Sequence, residues 1–148
     1  MQLGVMDNIY PVRFKDIRHY IADRNNVLFG IKKVQDTGEK MSTEDENHLT
    51  GEALFLRAYF HFKLIMSWEK AIIRDKYLTG EAQTHKALSS RTDVWDFICS
   101  ELNNAGGLLP QDRPSSETGR VTKAAAYSYL GWAYLTRAYE ETAKKDEY

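Results

Sequence analysis

The sequence predicts an all-α fold, helical hairpins built from about four main helices in a single domain spanning residues 1–148. Three observations predict it. Apolar residues recur at three- and four-residue steps through three long stretches. Capping residues stand just ahead of the runs. Two of the runs also align: setting Thr50 against Thr122 brings Phe55 onto Tyr127, Ala58 onto Leu130, Tyr59 onto Gly131 and Phe62 onto Tyr134. Each copy thus carries an aromatic pair seven residues apart, the mark of a recurring helical unit that serves as a binding scaffold.

In chain order, Phe14, Ile17, Tyr20, Ile21, Leu28, Ile31 and Val34 form one stripe between Lys, Arg and Asp residues and predict a first helix over 14–34. The run Asp36-Thr-Gly-Glu-Lys-Met-Ser breaks the pattern. Thr43 with Glu46 three residues on has the form of a capping box, which places a second helix at 43–68. From Ala53 onward that helix is apolar on almost every side, with Arg57, His61, Lys63 and Ser67 as its polar positions. Such a helix needs neighbours on more than one face and is expected at the centre of the fold.

Residues 70–90 hold one apolar pair, Ile72-Ile73, punctuated by Gly80 and Ser89-Ser90, and read as an irregular excursion. Long irregular connections tend to be functional or mobile. A third helix follows, with Thr92 as N-cap, Asp93 near the positive end of the dipole and Val94, Trp95, Ile98 and Leu102 on one stripe. Gly106-Gly107 is expected to end it in a left-handed turn. After Leu108-Leu-Pro and a polar loop, Thr122 caps a fourth helix carrying Ala124, Ala125, Tyr127, Leu130, Trp132, Ala133, Tyr134, Leu135 and Ala138. The charged segment 140–148 reads as the start of a partner helix.

Composition removes several function classes. At 43% hydrophobic and 12% aromatic, 148 residues can bury a real core. The 20 basic and 21 acidic residues are interspersed, without the polybasic run that nucleic-acid binding needs. A lone Cys99 excludes an intrachain disulfide framework and a cysteine-based zinc site. No apolar stretch approaches the roughly 20 residues of a spanning helix, so the chain reads as soluble.

Tyr127-x-x-Leu130-Gly131-x-x-Tyr134 has the spacing of the first helix of a tetratricopeptide repeat, with Tyr127 in the usual tryptophan position. Gly131 is expected to let a neighbouring helix approach closely. Ala143 falls on the small residue of the repeat's second helix, while Glu147 stands where an aromatic is usual.

Four blocks in order carry a narrower resemblance: Gly51-Glu-Ala-Leu-Phe-Leu-Arg-Ala-Tyr-Phe-His-Phe; Val94-Trp-Asp-Phe-Ile with Glu101-Leu-Asn-Asn-Ala; Leu108-Leu-Pro; and Gly119-Arg-Val-Thr-Lys-Ala-Ala-Ala. Together with Tyr20-Ile-x-x-x-Asn25, they resemble the helical portion of the SusD/RagB family of nutrient-binding proteins. The resemblance implies a surface lipoprotein of the Bacteroidetes outer membrane that caps a SusC-like TonB-dependent transporter and captures glycans or peptides. Family members are considerably longer, so the chain is expected to be an N-terminal fragment, with membrane association only through a lipid anchor it does not itself carry. Cys99, inside a predicted helix, does not stand for the lipidated cysteine. The family's tyrosine-glycine and proline after the first conserved helix are replaced by Trp68-Glu-Lys-Ala-Ile-Ile-Arg-Asp-Lys-Tyr-Leu-Thr, which changes the local loop.

Residue chemistry points away from catalysis. His19, His48, His61 and His85 lack ligand spacing, and no phosphate loop, metal motif or nucleophile elbow is present, so no cofactor or metal is expected. Cys99 reads as a packed thiol, with no base beside it. Arg57 and His61 share a helix face and read as a hydrogen-bonded stripe before they read as recognition. Tyr59, Tyr127, Tyr134, Trp95 and Trp132, at helical spacing, read as packing. Trp68 and Tyr77 flank the excursion and are the candidates for display to a ligand. The conspicuous block residues Glu52, Arg57, Gly119, Arg120, Thr122 and Lys123 have a structural reading: Arg57 fixes helix contacts, and Arg120 and Lys123 order the loop before the fourth helix. The expected function is a non-enzymatic binding component of outer-membrane nutrient uptake. The alternative is a free-standing tetratricopeptide-like adaptor holding a protein segment in its groove.

Overall fold

The computed structural model describes residues 14–38, 41–80 and 85–141, and among them the regular structure is helical, with one isolated bridge between Ala71 and Ser89. Helix α1 is Phe14–Thr37, α2 Thr43–Ser67, α3 Arg91–Leu108 and α4 Lys123–Glu140, with a 3-10 turn at Ser115–Glu117. Segments 142–148, with Ala143 and Glu147, lie outside the described residues.

Helix ends follow local chemistry, in two cases one or two residues from the expected place. Ser42, not Thr43, caps α2: its hydroxyl accepts the Asp45 N–H at 3.0 Å. Glu46 is occupied by the Gln35 amide of α1. For α3 the cap is Ser90, not Thr92, in a complete capping box with Asp93. Thr122 caps α4 by accepting the Ala125 N–H. Gly106 and Gly107 do not end α3, which continues to Leu108; only Gly38 and Gly119 have positive φ among the described residues.

Each helix packs on the next. Tyr20 of α1 stacks on Phe60 of α2 with centroids 4.8 Å apart. Helices α2 and α3 run antiparallel, since Gly51 lies against Leu109, Arg57 pairs with Glu101 and Phe62 meets Trp95. The next pair is antiparallel too, with Gly106 against Tyr127, Asp96 against Arg137 and Arg91 against Glu140. As a result α2 and α4 run parallel, Phe55 and Phe62 sharing Tyr129 and Phe62 reaching Trp132. They are the equivalent first helices of successive tetratricopeptide-like hairpins, as the internal alignment implied.

The core lies between α2 and α3, where Phe62, Ile65, Val94, Trp95, Ile98, Leu102 and Leu109 are fully buried, and Ala126, Leu130 and Ala133 of α4 close it. Small residues set the spacing. A Cβ at Gly106 would lie 2.7 Å from the Tyr127 ring. Gly131 is the reverse of its expected role: nothing lies within 4 Å of its Cβ position, and no helix approaches it among the described residues. It belongs to an outward face of α4 on which Tyr127, Trp132, Tyr134, Leu135 and Tyr139 keep a third or more of their surface exposed, although Tyr127 also covers Gly106 and Trp132 also meets Phe62.

Candidate functional site

The connection from α2 to α3, residues 68–90, is irregular but held at several points. At its base the Ser89 N–H donates to the Ala71 carbonyl at 2.9 Å. The Arg91 guanidinium donates to the carbonyls of Ile65 at 2.7 Å and Trp68 at 3.0 Å, which joins the C-terminal end of α2 to the start of α3.

A buried polar cluster pins the middle of the connector. Arg57 reaches Glu101 of α3 at 2.7 Å, the Asn25 side-chain oxygen of α1 at 2.8 Å and the Asp75 carbonyl at 3.0 Å. The Asn25 amide then donates to the carbonyls of Arg74 and Lys76. From the other side the Arg74 N–H donates to His61 Nε2 at 3.1 Å. That bond fixes the tautomer, so Nδ1 carries the proton and donates to the Arg57 carbonyl at 2.7 Å. Burial, with the nearby Arg57 charge adding to it, holds His61 neutral and lowers its pKa to about 4. Burial also lifts the Glu101 carboxyl above its usual range, against the pull of Arg57.

The pinned connector and α1 enclose a cleft of about 510 Å³, with Arg18, Ile21, Ala22, Asn25 and Asn26 on one wall and Arg74, Lys76, Tyr77, Leu78 and His85 on the other. The volume falls in the range of small-ligand sites, roughly 300–1,000 Å³. Tyr77 stacks on Phe29 with centroids 4.3 Å apart, which holds the ring at the rim while leaving it half-exposed. An adjoining hollow of about 380 Å³ shares Arg18, Ile21 and Arg74 and is lined by Trp68, Ala71, Ile72 and Leu88. Trp68 and Tyr77 therefore flank one continuous region.

The remaining residues singled out in the sequence stand elsewhere. Glu52 accepts from Arg113 and, at 2.9 Å, from Arg120, while Glu117 takes the other arms of both guanidiniums at 2.9 and 2.6 Å. This knot orders the loop before α4, together with Gly119 at φ 95° and the Lys123 N–H bonded to the Pro110 carbonyl. Tyr127, Leu130, Gly131 and Tyr134 belong to α4, with Leu130 alone of the four buried. The structure thus separates a loop-ordering group and an α4 group from the cleft. Asn25, Glu101 and Arg113 carry much of the polar architecture, and periodicity could not show it, because their partners lie 32 to 61 residues away.

Cys99 is buried, and desolvation pushes its thiol up to about 11. Among the described residues no group of His, Cys, Asp and Glu side chains could hold a metal ion, and no helix is long and apolar enough to cross a membrane.

Comparison with known proteins fits this geometry. A SusD-like family model described as "Starch-binding associating with outer membrane" matches residues 3–135. Among solved structures, a SusD-like protein from Bacteroides fragilis is 30% identical with TM-score 0.73, over 84% of this chain and 24% of that one. A SusD-like carbohydrate-binding protein from the same species is 28% identical with TM-score 0.70, over 84% and 24%. A laminarin-binding SusD-like protein, 22% identical with TM-score 0.77 over 89% and 28%, shares the fold. No curated protein matches. The chain spans about a quarter of the length of these solved relatives. With the helical order, the antiparallel hairpins and the family match over residues 3–135 in agreement, the chain belongs to the SusD-like family.

Proposed function

We propose that the chain is the helical part of a non-enzymatic glycan-binding protein of the bacterial outer membrane, one that hands its cargo to a SusC-like TonB-dependent transporter. The observation that carries this reading is the family match over residues 3–135, a family described as starch-binding and associating with the outer membrane. A carbohydrate-binding protein and a laminarin-binding protein among the structural relatives support a sugar as cargo. In this reading α2, α3 and α4 are scaffold and part of the transporter-facing surface, and the cleft flanked by Trp68 and Tyr77 contributes to the ligand surface. Flat aromatic faces cover the apolar C–H patches of sugars, and a half-exposed ring already held by a second ring loses little freedom on doing so.

The test uses the full-length protein. Affinity capture from outer-membrane extract should retain a TonB-dependent transporter encoded beside it, and titration with oligosaccharides should show saturable binding. Replacing Trp68 and Tyr77 by Ala should weaken that binding roughly tenfold. Retention of no such transporter would remove the uptake role, and unchanged affinity in the double variant would move the ligand away from this cleft.

A further inference from the structure

A row of aromatic rings crosses three helices, and none of its members lines the cleft or the adjoining hollow. Tyr20 of α1 stacks on Phe60 of α2, Phe60 meets Tyr59 with centroids 5.3 Å apart, Tyr59 meets Tyr129 of α4 at 5.6 Å, and Tyr129 meets Trp132 at 5.6 Å. Each ring is held by another, so little freedom is left to lose when something lands on the row. Nothing in α1 to α4 closes over it: Tyr20 is 40% and Trp132 46% exposed, and the three rings between them are half-buried.

Shape and chain length both argue what covers it. Tyr59 lies at 72° to Phe60 and at 77° to Tyr129, so the middle of the row presents ring edges as well as faces. A sugar stacks on a flat face, whereas the interlocking side chains of a packed polypeptide fill a surface of alternating edges and faces. The Lys63 ammonium lies over the Tyr59 ring at 5.2 Å, which lays its apolar stem along the same surface. As to length, the chain spans about a quarter of its solved relatives. A cover that belongs to the same polypeptide also avoids the association entropy that a separate protein must repay.

We infer that the row from Tyr20 to Trp132 is an internal contact surface, covered by apolar side chains of the part of the same polypeptide that follows Tyr148. The inference stands apart from the glycan reading above.

Photo-crosslinking in the full-length protein tests it, with Tyr20→p-benzoylphenylalanine in one variant and Trp132→p-benzoylphenylalanine in another. In dilute monomeric protein without ligand, both should join on irradiation to peptides of their own chain beyond Tyr148, to an extent independent of protein concentration. Hydroxyl-radical labelling of the wild type needs no substitution: Tyr20 and Trp132 should be labelled as slowly as Phe62, which is 1% exposed. Labelling of either ring several-fold faster than Phe62 would overturn the inference. So would crosslinks that form only between copies, or only once a TonB-dependent transporter or an oligosaccharide is added, each of which names a different occupant.

Discussion

Arg57 shows how much of this fold hangs on single side chains. It sits on a helix read from the sequence as a stripe of polar positions, yet it joins α1, α3 and the connector at once. Replacing it with Ala strands the buried Glu101 carboxylate and the Asn25 oxygen, so urea unfolding should show a loss of about 3–5 kcal/mol. Glu101→Gln, which keeps an acceptor for the guanidinium, should cost less. His61 gives a pH signature. Its pKa falls to about 4 in the folded chain, while the unfolded residue titrates near 6.5. Above that value both states are neutral and its bonds contribute in full. As the pH drops from about 6.5 toward 4, the unfolded state gains a proton that the folded state refuses, and stability falls by on the order of 3 kcal/mol. The raised Glu101 pKa acts in the opposite sense and does not add to the loss. Chemical denaturation at stepped pH should show the decline in the wild type and flatten it in His61→Gln; an equal decline in both would assign it to other groups.

At the scale of elements, the helices were legible because their apolar steps are long and regular, whereas their ends depended on which of two neighbouring hydroxyls won. Ser42 and Thr43, or Ser90 and Thr92, offer similar chemistry, and backbone geometry chose the serines. The glycines were misread for a tertiary reason. Gly106 looked like a terminator and is a contact point under Tyr127, while Gly131 looked like a contact point and faces open space. The two predict opposite outcomes for the same substitution. Gly106→Ala should destabilise by roughly 1–3 kcal/mol, because the Tyr127 ring must shift. Gly131→Ala in this 148-residue chain should be neutral or stabilising by up to about 1 kcal/mol, through helix propensity. Paired thermal melts decide between them. The cleft itself was half legible: Trp68 and Tyr77 could be named for flanking an irregular stretch. The facing wall could not, because Arg18 comes from α1 and only folding brings it near Arg74 and Lys76.

For the whole molecule, the outward face of α4 matters most. Tyr139 is 80% exposed and Leu135 56%, with Trp132 and Tyr127 close to half. So large an apolar stripe on a helix whose other side completes the core is a liability in isolation. The chain spans about a quarter of the length of its solved relatives, and the remainder of a chain of that length is large enough to cover such a stripe. A chain extended past Tyr148 should therefore melt higher and aggregate less than residues 1–148 alone. Equal cooperative transitions by calorimetry would show that the stripe needs no cover.

The Ala71–Ser89 bridge has a consequence for how such a protein can change over generations. By meeting at its base, with Arg91 fastening the helix ends beside it, the connector becomes a closed side-loop rather than a strut between α2 and α3. Closing such a loop costs only about 0.6 kcal/mol more for each doubling of its length. Insertions and deletions beyond Lys76 can therefore reshape what the cleft accepts while the helical frame stays in register. Under the proposed function, cargo preference and architecture can drift on separate clocks, coupled through the short span that Asn25, Arg57 and His61 hold in place.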